Sequence, residues 1–405
     1  MSQQRRGEDG GYRFLCFQLN CIDGCLAQVY VIMEIFDFDG IIRSFVHLIL
    51  ACKSFFPSPH YLPDILPPEL FPLTYKSRVA EVQSCEMLWL LLLVVAASAV
   101  LATPVVYDGR VPFSFPEANL DTSTGPFLTV VKGTESATHY SSVLGHTKRP
   151  TPLWDKSPIP FLPLPIFTVP TEQVISMRID NTSVFFPGGN NPQFGFRRTE
   201  LLAQAEEGGP TALLPDIEEG VTAFHFSIQL DERFPLNYDH EYQIVFIETS
   251  DGSHVFGVQL GSPFTNPPGP LPAPNAHSFK VLDHSLNVLF SAPSSTRSWH
   301  NFAVLVDWDN LTLKVYYSKD GAPLKPVTGT IPNLSVSPGG PGKGEFHFGI
   351  LKLPLVDPND SPSDQGDVVH HGIQEGSTEG LFYSGVFVEK VTKGVSTGYG
   401  KTIRP

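Results

Sequence analysis

The chain has 405 residues, 41% of them hydrophobic and 17% charged, with 38 Pro and 34 Gly, a composition that fits a loop-rich globular protein and argues against wholesale disorder. Its formal net charge of −14 and pI near 5.3 make nucleic acid and anionic membrane surfaces poor partners, because the mean field repels both. A neutral ligand suits the charge better.

Taken in chain order, the cysteines come first. Cys16, Cys21, Cys25, Cys52 and Cys85 all precede residue 86, and the rest of the chain has none. "CFQLNCIDGC" has no matching second cluster, so no zinc site is expected, and no other metal or cofactor is. Residues 1–86 show no consistent helix or strand period and are read as a leader or a mispredicted start, outside the working protein. "MLWLLLLVVAASAVLATP" follows, an apolar run ending in small residues over 87–102, which has the form of a signal peptide. It is shorter than the roughly 20 residues that a spanning helix needs. The basic segment expected ahead of it is missing if Met1 is the start, an objection that a start at Met87 removes. Asn-x-Ser/Thr sequons at Asn181, Asn310, Asn333 and Asn359 also suit a secreted, extracellular chain. The expected mature protein is one domain, 103–405, without disulfides and monomeric, with no membrane attachment once the signal is removed.

From Val105 on, apolar residues alternate or form short runs cut by Pro, Gly, Asn and Asp, which is a strand pattern. The predicted strands are 105–108, 127–133, 173–180, 194–203, 223–230, 242–250, 254–260, 278–283, 287–292, 301–309, 311–318, 345–353 and 381–391. The one helical stretch expected is "TELLAQAEEG", beginning inside a strand. Many short strands without a βαβ rhythm or a repeat imply an all-β fold: a jelly roll or concanavalin-like sandwich of two antiparallel sheets. The long polar connections 261–278 and 357–380 are placed to shape a substrate groove on a concave face.

Side chains alternate along a strand. In "FGFRRTELLA", Arg198 and Glu200 share a face and can pair, while Thr199 and Leu201 turn inward. In "DHEYQIVFIETS", Glu241 and Gln243 oppose the bulky Tyr242, Ile244 and Phe246. In "EFHFGILKLP", Phe346, Phe348 and Ile350 oppose His347 and Gly349. If these strands are neighbours, Arg198, Glu200, Glu241, Gln243 and His347 converge, with two carboxylates available as acid and base or nucleophile across a glycosidic bond. His225, between Phe224 and Phe226, has the same pattern and is a further candidate for substrate binding. Glu248 lies seven positions beyond Glu241, on the opposite face of a regular strand; a β-bulge would reverse that. His370 and His371 are read as loop residues, and Phe382 and Tyr383 as core.

These segments resemble glycoside hydrolase family 131, fungal β-glucanases with a β-jelly-roll fold. "VVYDGRVPFSF", "VVKGTESATHYSSV", "FRRTELL", "AFHFSIQL", "HEYQIVFIE", "WHNFAVLVDWD", "FHFGILKLP" and "YSGVFVEKV" occur in the family's order. The resemblance implies hydrolysis of β-1,3-, β-1,4- or β-1,6-linked glucan without a cofactor, with Glu200, Glu241 and His347 catalytic and Arg198, Gln243 and His225 binding the sugar. Inversion is the expected stereochemistry. A jelly-roll polysaccharide lyase and a non-catalytic glucan-binding protein are the alternatives; the acidic charge disfavours the polyanionic substrates of a lyase.

Overall fold

The structure, a computed structural model, describes residues 12–20, 26–38 and 41–51 and, from 103 to 405, all but 130, 157–168 and 335–343. The chain divides into two units, Met1–Gln83 and Ser84–Pro405. Within the first, strands β1 (Tyr12–Asn20), β2 (Leu26–Phe38) and β3 (Ile41–Ala51) form an antiparallel sheet in that order. The sequence showed no strand period there. The apolar run 87–102, read as a signal peptide, lies outside the described residues. Among the described residues no helix is long and apolar enough to cross a membrane.

The second unit begins with β4 (Val105–Asp108), β5 (Phe127–Leu128), the short helix α1 (Ala137–Tyr140), β6 (Ser141–Val143), β7 (Ile175–Ile179) and β8 (Arg197–Ala203). Helix α2 (Gly209–Ile217) leads into β9 (Val221–Leu230), β10 (Glu241–Thr249), β11 (His254–Gly261), β12 (Ser278–Asp283) and β13 (Val288–Pro293). Next come β14 (His300–Asp307), β15 (Thr312–Lys319), β16 (Lys325–Pro326), β17 (Ile331–Pro332), β18 (Gly344–Lys352) and β19 (Glu379–Lys390). The chain closes with β20 (Val395–Gly398) and β21 (Lys401–Ile403), which pair with each other. Every predicted strand from residue 105 onward has a counterpart. The helix does not: "TELLAQAEEG" is mostly strand and turn, and α2 starts beyond it, with a Pro in its first turn and Pro215 inside.

One seven-stranded sheet runs β13-β12-β11-β10-β18-β8-β5, and a nine-stranded sheet runs β16-β15-β14-β9-β19-β7-β6, with β17 on β15 and β4 on β19. All pairings are antiparallel, so the fold is the two-sheet sandwich that the alternation predicted. Phe224, Phe226, Phe302 and Val304 of the larger sheet share one core with Phe346, Phe348, Ile350 and Tyr242 of the smaller. Phe224 and Phe346 meet edge to face with centroids 5.0 Å apart. Each such ring contributes on the order of 2–3 kcal/mol by burial, so the inward faces fix which residues are left to face outward. Among the sequons, Asn181, Asn310 and Asn359 are exposed, whereas Asn333 is buried and spends its amide on Val255 O and on the backbone N–H of His284.

Candidate active site

The outer face of the seven-stranded sheet gathers the charged and imidazole groups, and an irregularity in β10 decides what stands there. Tyr242 faces the core and Gln243 faces out, as alternation requires. The register then shifts between Gln243 and Val245 against both neighbouring strands, so Ile244 and Val245 are both core residues. Beyond this bulge the parity is reversed. Phe246, expected inside, lies on the outer face stacked between His254 and His347, at 4.3 and 4.9 Å. Glu248 lies outward with it, opposite Glu345 of β18 and His254 of β11. The Tyr383 hydroxyl of β19 crosses the core to reach the carbonyls of Ile244 and Gly349, so the opposite sheet braces the bulge. Gly349 has a steric reason: a Cβ there would lie 2.2 Å from Thr199 O and 2.7 Å from Glu200 Cα.

Glu200, Arg198 and His347 come together as the sequence suggested. The Arg198 guanidinium donates twice to the Glu200 carboxylate, Nε to Oε1 at 3.2 Å and Nη2 to Oε2 at 2.8 Å. His347 Nδ1 lies 2.9 Å from the same Oε2. The Glu200 side chain has 0% exposure. Burial pushes its carboxyl upward, but Arg198 and then His347 pull harder, and the result is a pKa lowered to about 2. Glu200 is therefore a fixed anion that orients the imidazole, with both oxygens engaged and neither open to solvent. His347 Nε2 faces the other way, 3.8 Å from Glu248 Oε2 and 3.9 Å from Glu345 Oε2. Arg198 Nη2 lies 3.6 Å from Glu248. These groups line a depression of about 420 Å³, walled by Val131, Phe185 and Gln193.

Glu241 and Gln243 share this sheet face but not this depression. They line a second one, of about 200 Å³, with Gln259 and Lys280. Glu241 accepts the Phe264 backbone N–H at 2.7 Å and the Gln243 amide at 2.9 Å, so it ties the connection 262–277 to β10. His225 is not in the groove. It lies on β9 in the other sheet, wholly buried, 3.0 Å from Glu389 and stacked on Phe387, because alternation assigns a residue to a face of its own sheet and says nothing about which sheet. A regular strand would put Glu248 on the face opposite Glu241; the bulge turns it outward, beside Arg198 and His347. Glu345 went unnoticed, although its parity with His347 and Gly349 placed it on the same face.

Glu200, Glu248 and His347 offer ligand atoms within 4.8 Å of one another, the spacing of a possible cation site. Arg198 already supplies a positive charge there, hydrogen-bonded to Glu200 at 2.8 Å and 3.6 Å from Glu248. The same spacing bears on stereochemistry. An inverting carboxylate pair stands roughly 6.5–9.5 Å apart to admit water, so Glu200 and Glu248, with ligand atoms within 4.8 Å of one another, are not such a pair.

A two-sheet antiparallel sandwich with carboxylates, an imidazole and a guanidinium converging on one outer face has the build of a carbohydrate-active enzyme. The model of the family described as glycoside hydrolase 131 catalytic N-terminal domain matches residues 105–394, and the chain belongs to that family. Solved structures agree on the fold. The β-glucanase catalytic domain of family 131 from Podospora anserina is 20% identical with a TM-score of 0.53, the match covering 74% of this chain and 100% of that one. The family 131 catalytic domain from Coprinopsis cinerea is 19% identical with a TM-score of 0.50, covering 73% and 97%. No curated protein matches the chain. The chain is a glycoside hydrolase, and a polysaccharide is its class of substrate.

Proposed function

We propose that this hydrolase is secreted, cleaves β-linked glucan in the depression around Glu248, and uses Glu248 and His347 as the groups that meet the substrate. The supporting observation is the Arg198–Glu200–His347 chain of contacts ending at Glu248, whose side chain is 33% exposed while Glu200 is sealed. In this reading Glu248 gives its proton to the glycosidic oxygen as the bond from that oxygen to the anomeric carbon breaks. A water molecule forms the new bond to that carbon and releases a proton, while His347 Nε2, the ring nitrogen that Glu200 does not hold, hydrogen-bonds the sugar. Return of that proton to Glu248 resets the site. Glu200 acts through His347 as a positioning residue. Three carboxylates, Glu200, Glu248 and Glu345, surround one guanidinium and one imidazole, a field that favours a neutral glucan over the polyuronates of a lyase.

The experiment is product analysis on laminarin, lichenan and cello-oligosaccharides, with the unaltered chain and with Glu248→Gln and Glu200→Gln. Sugar release by the unaltered protein, lost in both variants while glucan affinity persists, is the expected result. Unchanged release by the variants would defeat the assignment. Unsaturated products absorbing in the ultraviolet from alginate or pectin would favour the lyase reading.

A further inference from the structure

The depression that holds Glu248 has a wall whose position the sheet does not fix. Phe185 and Gln193, which form it, belong to the loop between β7 and β8, where Asn191 and Phe194 are exposed. Gln193 Oε1 stands 3.5 Å from Arg198 Nη1, and its backbone N–H donates to Phe185 O at 2.9 Å, so the wall bears on the guanidinium beside Glu200 and Glu248. We infer that Glu375, in the connection from β18 to β19, is a positioning residue for the reaction: it anchors residues 367–375 as a strap against the wall, and the strap sets where Gln193 stands against Arg198. The inference rests on the reading of this depression as the place of hydrolysis.

Strap and wall meet backbone to backbone. The Gly195 N–H donates to Val369 O at 2.9 Å. Gln374 Nε2 donates to Gly195 O at 2.7 Å and to Lys352 O at 3.2 Å, which ties the wall to the strand that carries His347. Asn191 Nδ2 and His370 Nε2 stand 3.0 Å apart, while His370 Nδ1 faces Asp367 at 2.8 Å. A Cβ on Gly195 would lie 2.1 Å from Val368 O and 2.7 Å from His371 O, so a single added carbon would push the two segments apart.

No residue from 367 to 375 is buried, so the strap depends on polar contacts for its place. A two-bond bridge joins Ile373 to Leu355, and the charged hold comes from Glu375. Its carboxylate meets three donors: Lys352 Nζ at 2.7 Å, His240 Nε2 at 2.9 Å and Asn237 Nδ2 at 2.9 Å. Lys352 follows Phe346, Phe348 and Ile350 in parity, and its ammonium turns inward, 1% exposed like its second partner, Glu379, at 2.8 Å. Hydrogen bonds with a charged partner are roughly twice as strong as neutral ones, so Glu375 fastens the strap more firmly than the amide contacts do. Because Glu379 pairs with Lys352 whether or not Glu375 is present, removing Glu375 frees the strap and leaves the core ion pair in place.

The test compares Glu375→Ala, Glu375→Gln and Gly195→Ala with the unaltered chain on laminarin and lichenan. Glu248 and His347 stand on β10 and β18, so a displaced wall alters binding and spares the chemistry. The expected result for Glu375→Ala is KM raised about fivefold or more with kcat changed less than about twofold. Glu375→Gln, which keeps one acceptor oxygen, should recover part of the loss, and Gly195→Ala, with the carboxylate intact, should raise KM in the same way. Hydrogen exchange followed by mass spectrometry should quicken at 191–196 and 367–374 and stay unaltered in β9 and β14. An unaltered KM in both alanine variants, or exchange quickened throughout the sandwich, would overturn the inference. If the unaltered chain hydrolyses no glucan, the hydrolase reading falls and exchange alone decides the strap: quickening confined to those two segments in Glu375→Ala upholds it, and unaltered exchange there removes it.

Discussion

Replacing Glu200 by Gln removes the anion on which the site is built, and the cost can be worked from its titration. The carboxyl is fully buried and its pKa is lowered from 4.5 to about 2 by Arg198 and His347 against the opposing effect of burial. A folded-state pKa below the unfolded one means that the group stabilises the fold above the unfolded value and loses that contribution as pH falls toward the folded value. A shift of this size corresponds to about 3 kcal/mol at pH 7, and breaking a buried pair by removing one partner costs a similar amount, roughly 3–5 kcal/mol, since Arg198 loses its hydrogen-bonded carboxylate and keeps only Glu248 at 3.6 Å. Urea unfolding of both proteins is the assay. At pH 7 the variant should be less stable by about 3 kcal/mol, and at pH 3 the gap should narrow to about 1 kcal/mol because part of the contribution is already lost. Equal stability at pH 7, or a gap that does not change with pH, would refute the claim that Glu200 is held ionised by these partners.

Further outcomes follow from the same structure. Tyr383→Phe removes the hydroxyl shared by Ile244 O and Gly349 O; a stability loss of about 1–3 kcal/mol with a fall in kcat is expected, and full activity would show that the bulge needs no brace. Glu172 is 4% exposed, accepts the Gly385 N–H, and has its pKa raised by burial to about 7. Its contribution is therefore complete below the unfolded value near 4.5 and lost as pH rises through 7. Glu172→Gln should unfold like the unaltered chain at pH 5 and be more stable at pH 8, by up to about 3 kcal/mol; denaturant midpoints at the two pH values decide it.

Much of the fold could be read from period and punctuation. The inward row Phe346, Phe348 and Ile350 and the outward pair His347 and Gly349 follow from alternation alone, and so does the pairing of Arg198 with Glu200, because nothing interrupts β8 or β18. The rest depended on events that alternation does not record. The bulge at Ile244 moved Phe246 from the core to the outer face and brought Glu248, rather than Glu241, beside Arg198 and His347, since one shifted residue reverses every side chain after it. Its support comes from Tyr383, more than a hundred residues away in sequence. His225 has the pattern of a groove residue but sits in the other sheet, where its Nε2 meets Glu389. Helix α2 escaped notice because its prolines read as loop. The strands at 12–51 showed no recognisable period at all.

The account depends most on which carboxylate of β10 meets the substrate. Turnover of a short glucan oligosaccharide at saturation by Glu248→Gln and Glu241→Gln tests it directly. The bulge predicts a loss in kcat on the order of 10²–10⁴-fold for Glu248→Gln, as for removal of a general acid, with Glu241→Gln turning over close to the unaltered rate. Loss of turnover in Glu241→Gln, with Glu248→Gln active, would contradict it.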